Sequence, residues 1–248
     1  MGFTQLDSAF GSQSFFAGHL TGFMLYDLES KQVVFEKNSH LYQIPASTAK
    51  LLTLYAGLTI LEDSTQTLRY KSSGDTLKIW GSGDPSWKYK NFDQPDFQKI
   101  IGNHAVVQFS DANQVSPGYG YGWQWDDYKF DYAAERSSLP IYGNLVNLKM
   151  VGDSLQLFPT SFQRRIQFSP KNLKELERDF NSNTYYYNPK TFLGRENQVP
   201  FLVEPELIAE LASLETGIPW IYRSDSLPAE HQQWRGAVLP PLLKEMML

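Results

Sequence analysis

Apolar residues near the start of the chain come in short runs. Gly22-Phe23-Met24-Leu25-Tyr26-Asp27 is one, Gln32-Val33-Val34-Phe35-Glu36 is a second, and the mostly polar Leu28-Glu29-Ser30-Lys31 separates them. This pattern predicts a β-hairpin. Past Asn38-Ser39-His40, Ile44-Pro45-Ala46-Ser47-Thr48-Ala49-Lys50 leads into Leu51-Leu52-Thr53-Leu54-Tyr55-Ala56-Gly57-Leu58. Apolar residues in that stretch fall on most faces of a helix, which predicts a buried helix starting near Ser47.

From about Thr67 to Val203 the texture is different. Short strand-like runs (Thr76-Leu77-Lys78-Ile79-Trp80, Val106-Val107-Gln108-Phe109, Ser154-Leu155-Gln156-Leu157-Phe158) alternate with Gly, Pro, Asn and Asp, predicting a separate β-rich region. Helical periodicity returns in Pro205 to Leu214, stopped by Gly217 and Pro219, and again in Pro240 to Leu248. The last helix carries Leu242, Leu243, Met246 and Met247 on its apolar side and needs a surface to pack on. The fold class expected is α+β. There are no internal repeats or low-complexity segments.

Composition narrows the chemistry. The 248 residues are 42% hydrophobic and 20% charged, an ordinary globular balance with room for one large domain or two smaller ones. A formal net charge of −5 without a basic run offers nothing to attract nucleic acid. No stretch approaches the roughly 18 apolar residues of a membrane-spanning helix, and the start lacks the order of a signal peptide. With no cysteine, disulfides, thiolate nucleophiles and zinc-thiolate sites are all excluded. His19, His40, His104 and His231 have no metal-ligand spacing, so neither a metal nor another cofactor is implied.

Ser47 and Lys50 stand three positions apart, neighbours on one helical face, so the lysine amine can approach the serine hydroxyl. A serine needs such a base, and the lysine serves only if burial or the helix N-terminus lowers its pKa. The same N-terminus offers backbone N–H groups for an oxyanion hole. Ser47 is the one serine in the sequence with lysine at the third following position. The structural alternative makes Ser47 an N-cap and Lys50 a surface residue, although the helix dipole disfavours a first-turn lysine.

The hairpin followed by Ile44-Pro45-Ala46-Ser47-Thr48-Ala49-Lys50-Leu51-Leu52-Thr53 resembles the nucleophile motif of the class C low-molecular-mass penicillin-binding proteins, the D-alanyl-D-alanine carboxypeptidase/endopeptidase family. Three further stretches agree, in order: Trp80-Gly81-Ser82-Gly83-Asp84-Pro85; Gly122-Trp123-Gln124-Trp125-Asp126-Asp127-Tyr128 with Tyr132-Ala133-Ala134; and Val199-Pro200-Phe201-Leu202-Val203-Glu204-Pro205. The resemblance implies a partial penicillin-binding-protein/β-lactamase-like catalytic domain, residues 1–66 plus 204–248, interrupted by a β-rich inserted region, 67–203. It makes Ser47 the nucleophile and Lys50 its proton-handling partner. Asp127 and Tyr132, with Trp125 nearby, match a pocket for the free amino-acid end of the peptidoglycan stem, where an acidic group facing an ammonium is sound chemistry. The alternative places Trp123 and Trp125 in the core and makes Asp126 and Asp127 turn or cap residues. For Gly81 to Pro85 a tight turn suffices, and no catalytic role is assigned.

By the same resemblance, the partners are peptidoglycan peptides ending in D-Ala-D-Ala and, as covalent inhibitors, β-lactams. No nucleic acid or transmembrane segment is implied, and the location is periplasmic or otherwise extracytoplasmic. Two family motifs are missing: Ser-x-Asn does not stand where it is expected, and no Lys-Thr-Gly occurs. The chain is therefore expected to be an incomplete, weakly active or inactive fragment. A β-lactamase and a non-catalytic cell-wall binding or scaffold protein of the same fold are the rival readings. A Ser-His-Asp hydrolase is weaker, because Gly-x-Ser-x-Gly is absent.

Overall fold

The computed structural model describes residues 3–12, 16, 18–89, 92, 96–152, 154–193 and 196–247. It is an α+β fold, as the pattern predicts. Two compact units, Met1–Thr53 and Leu54–Leu248, are described in turn.

The first unit opens with α1 (Phe3–Ser12) and then forms the expected hairpin, β1 (Phe23–Asp27) against β2 (Gln32–Lys37). The strands are antiparallel, Phe23 opposite Lys37 and Asp27 opposite Gln32, with a register shift at Leu25/Tyr26. Asp27 closes the turn: its carboxylate accepts from the Ser30 hydroxyl at 2.6 Å and the Glu29 N–H at 2.9 Å, and these bonds hold its pKa below the usual value. Phe10 packs on the hairpin, its ring centroid 5.2 Å from Phe23 and 5.9 Å from Phe35. One 3₁₀ turn, Ala46–Ala49, then leads into α2 (Lys50–Ile60).

The expectation that this helix is buried is not met. Of its residues only Gly57 is buried, while Leu52 is 75% and Tyr55 70% exposed and Leu51 and Leu58 are exposed as well. Apolar residues on every face do not bury a helix by themselves; a neighbour must cover each face. In the second unit Gly57 has such a neighbour. A Cβ there would sit 3.1 Å from a Leu243 methyl, so the missing side chain is what admits α5 (Leu239–Met247). Leu239 and Leu243 are buried, so the last helix finds part of the packing surface that its sequence calls for, while Leu242 and Met246 are half-buried and Met247 is exposed.

The second unit is built on a five-stranded sheet of β3 (Ser64–Ser73), β4 (Thr76–Gly81), β5 (Val106–Ser110), β12 (Trp220–Tyr222) and β13 (Gln232–Val238), in the order β12-β5-β4-β3-β13. The pairs β4/β5 and β5/β12 are parallel, and β3 pairs antiparallel with both β4 and β13. Alternation along the strands sends Leu68, Leu77, Ile79, Val107 and Phe109 to one face, all at most 2% exposed. Each such side chain contributes about 1.5–3 kcal/mol. They share one core with Phe97, Ile100 and Ile101 of α3 (Phe97–Ile101) and with Leu207, Ile208, Leu211 and Ala212 of α4 (Pro205–Thr216). That helix begins on proline and ends at Gly217, whose φ of 74° is the left-handed cap an L side chain resists.

The opposite face of the sheet is polar and converges on Asp225. Its carboxylate takes Lys78 at 2.8 Å and Gln108 at 2.6 Å, and its backbone carbonyl takes the Trp80 indole N–H and the Ser110 hydroxyl, both at 2.7 Å. Lys78 first, then Gln108, lower the Asp225 pKa.

Two three-stranded sheets complete the unit. One has the order β11-β6-β7, from β6 (Leu145–Val151), β7 (Ser154–Phe158) and β11 (Glu196–Pro200); the other is β8-β10-β9, from β8 (Ile166–Phe168), β9 (Glu177–Arg178) and β10 (Tyr185–Tyr187). Arg178 joins them. It is 2% exposed and donates from Nε to Pro200 O at 2.9 Å and from one terminal nitrogen to the carbonyls of Asp179, Phe180 and Ser182 at 2.8–3.3 Å. The end of β11 is thereby tied to the turn after β9.

Arg178→Ala should cost about 2–4 kcal/mol, because it strips the donor from several enclosed carbonyls and opens a cavity. Arg178→Lys should recover only part of this, since an ammonium cannot reproduce the fork; urea unfolding of the three proteins gives the values. The lowered Asp225 pKa makes a second prediction. Its contribution is complete above the unfolded value of 3.8 and is lost as pH falls through the folded value. Asp225→Asn should therefore flatten the acid limb of the stability curve below about pH 4, and an unchanged limb would count against this role.

Candidate functional site

Ser47 lies in the 3₁₀ turn, and Lys50 is the first residue of α2. The junction is fixed by backbone geometry. Pro45 has φ −71° and ψ −21°, the Thr48 N–H reaches Pro45 O at 2.9 Å, the Thr48 hydroxyl donates to the same oxygen, and the Lys50 N–H donates to Ser47 O. Ala46 has φ 44°, a left-handed conformation that costs an alanine roughly 1–2 kcal/mol. Strain therefore sits on the residue directly before Ser47. Ser47 is exposed and Lys50 half-buried, and no side-chain hydrogen bond joins them among the described residues. The tight turn differs from the expected α-helical start, because proline and a left-handed alanine draw the chain into 3₁₀ winding before α geometry begins at Lys50.

The second group belongs to the other unit. Trp125–Lys129 and Asp131–Ala133 are two short 3₁₀ helices in succession. Trp125 is 76% and Tyr132 69% exposed, so the reading that puts Trp125 in the core does not hold. Trp123, 42% exposed, is not core either. Tyr132 and Asp127 do come together. Partial desolvation and then the Asp127 carboxylate hold the Tyr132 hydroxyl above its ordinary pKa, with Asp126 and Asp131 adding to the field. Phe130 stacks on Tyr132 at 5.5 Å, and the Asp131 carboxylate accepts the Tyr132 N–H at 2.8 Å. Three carboxylates beside open aromatic faces suit an ammonium-bearing ligand.

What carries this segment was not read from the sequence. Tyr128 is held from below: the Arg178 guanidinium lies 5.0 Å from its ring centre, and its hydroxyl donates to Arg178 O at 3.3 Å. Phe180 meets both Trp125 and Tyr128 edge-on, at 6.1 and 5.0 Å. Nearby, Tyr119 donates to Glu135 at 3.2 Å. Desolvation raises the Glu135 carboxyl, and desolvation followed by Glu135 pushes Tyr119 up to about 12. Arg178 and Phe180 sit in a polar stretch with no periodicity, so nothing local marks them out.

The Gly81–Pro85 turn is structural, as its sequence suggests. A side chain on Gly81 would collide with the Ser138 carbonyl, which also accepts the Gly83 N–H at 2.6 Å. Asp84, 5% exposed, accepts from Thr65, Thr67 and the Ser86 N–H at 2.6–2.9 Å. Among the described residues no cluster of His, Asp and Glu could hold a metal, and no helix is long and apolar enough to cross a membrane.

The chain is similar in fold to penicillin-binding protein 4 (dacB) from Haemophilus influenzae, at 17% identity over 91% of this chain and 58% of that one, with a TM-score of 0.62. The same protein complexed with a novel β-lactam (CMV) aligns at 14% identity over 90% of this chain and 56% of that one, with a TM-score of 0.55. The chain thus spans under three-fifths of the length of these relatives. No curated protein matches it in sequence. Residues 4–161 match the D-Ala-D-Ala carboxypeptidase 3 (S13) family, a stretch that holds Ser47, Lys50, Trp125, Asp127 and Tyr132, and the chain belongs to that family.

Proposed function

We propose that this chain is the nucleophile-bearing part of a serine-type D-Ala-D-Ala carboxypeptidase/endopeptidase that acts on peptidoglycan stem peptides outside the cytoplasm. The observation that carries the reading is the Ser47/Lys50 pair at a strained loop-to-helix junction, within the stretch matched to the family. Residues 1–66 with 204–248, around an insert of 67–203, form the catalytic frame in the same proposal.

Ser47 Oγ attacks the carbonyl carbon of the penultimate D-Ala while its proton passes to the Lys50 amine. The tetrahedral adduct collapses with cleavage of the C–N bond. The departing amine leaves with the proton, either as D-Ala or as a cross-linking stem, and water then releases the acyl group from Ser47. A β-lactam carbonyl takes the same attack, but its leaving amine stays tethered, so the acyl-enzyme persists. Asp127, with Tyr132 and Trp125, holds the ammonium end of the stem. Because no Lys-Thr-Gly occurs in the sequence, turnover by this chain alone is expected to be low.

A fluorescent penicillin should label the chain covalently. Ser47→Ala should abolish labelling, and Lys50→Ala should slow it by roughly 10²–10⁴-fold. Labelling that survives Ser47→Ala moves the nucleophile elsewhere, and a wild type that never labels favours the non-catalytic wall-binding reading. Asp127→Asn should weaken a stem peptide with a free terminal amine by about tenfold and leave its N-acetylated form unchanged. Equal losses for the two peptides would remove Asp127 from ammonium recognition.

A further inference from the structure

The Gly81–Pro85 turn and the segments around it line a half-open cavity of about 460 Å³ within the second unit. Its size is that of a site for a small organic ligand. Arg69 of β3 and Arg136 both line it, and neither makes an ion pair among the described residues. Arg136 is aligned by stacking over Trp123 at 5.7 Å. Arg69 stands opposite Trp80 and Gln233 in the sheet, on the face turned away from the apolar core, and it shares that face with Thr65 and Thr67.

The acidic residue in the lining, Asp84, is already engaged. Asp84 spends its oxygens on Thr65, Thr67 and the Ser86 N–H, so both guanidiniums keep free donors in a pocket that carries net positive charge. The Ser138 hydroxyl and the Asn113 side-chain oxygen, from residues in the same wall, are buried with no hydrogen-bond partner, so the wall is incompletely satisfied as it stands. Two guanidiniums beside a rigid, hydroxyl-rich turn are the donor set for a carboxylate.

We infer that this cavity, whose lining includes neither Ser47 nor Asp127, is a second ligand site and that it takes a carboxylate-bearing short peptide. The anion chemistry rests on Arg69 and Arg136 alone; the choice of a peptide rests on the cell-wall reading above. In function the site would hold a stretch of wall peptide that is not being cleaved.

Titration calorimetry of the full chain with the tripeptide L-alanyl-γ-D-glutamyl-L-lysine tests this. Binding should weaken roughly tenfold or more in both Arg69→Gln and Arg136→Gln, and Arg69→Lys should fall between wild type and Arg69→Gln. Among the described residues the Arg69 side chain makes no hydrogen bond, ion pair or ring contact, so if Arg136→Gln loosens the Trp123 region, seen in its melting curve, Arg69→Gln decides alone. Unchanged affinity in Arg69→Gln overturns the site. Equal binding of the fully amidated tripeptide, or equal competition by inorganic phosphate, overturns the carboxylate-peptide assignment. Penicillin labelling, run in parallel, should be unaffected by Arg69→Gln. If the wild type fails to label while the peptide still binds, the acyl-transfer reading falls and this site stands.

Discussion

The second unit depends on burying β4 from both sides. Leu77 and Ile79 face the apolar core, where α4 supplies the opposing surface, and on the other face Lys78 and Trp80 would be a charge and an indole N–H with nothing to bond. Asp225 resolves this by answering four groups from two strands with one carboxylate and one carbonyl. A mixed sheet with parallel strands needs cover on both faces. Here the cover is apolar on one side and a hydrogen-bond hub on the other, and the segment after β12 is fixed as a consequence. The Gly81 turn follows directly from β4, and its position against Ser138 is set by that sheet.

Much of this was legible in the sequence. The hairpin, β4, β5, β7, and the helices at 205 and 240 follow from local periodicity and from Gly217 as a stop, because each is decided by residues within a few positions of one another. The exposure of α2 was not, since its apolar faces say only that cover is needed and not whether it is present. The same division holds at the sites. Ser47 and Lys50 stand three positions apart and can be named together from the sequence, and no side-chain hydrogen bond joins them among the described residues; Asp127 and Tyr132, five apart, lie close enough for the carboxylate to act on the hydroxyl. Arg178 and Phe180, about fifty residues away, were invisible because long-range packing against Tyr128 and Trp125 leaves no trace in the spacing of either segment.

The two candidate groups differ in how they are held. Tyr128 and Ala133 anchor the aromatic and acidic segment while Trp125 and Tyr132 remain open, so side-chain packing orients that group. Ser47 is exposed, without a side-chain hydrogen bond among the described residues, and is directed by main-chain angles from Pro45 through Ala46 to Lys50. The first arrangement tolerates changes of surface charge and fails when Arg178 or Phe180 is lost; the second tolerates neighbouring side-chain changes and fails when the backbone relaxes.

Ala46 shows what that second arrangement entails. A glycine at this position would adopt φ 44° without steric penalty, at the expense of a more disordered unfolded chain. It would also let Ser47 swing through a wider range of orientations than the alanine permits. Substitution at position 46 would thus trade conformational comfort against aim, and a chain selected only for thermal robustness would drift toward the residue that holds its serine least firmly.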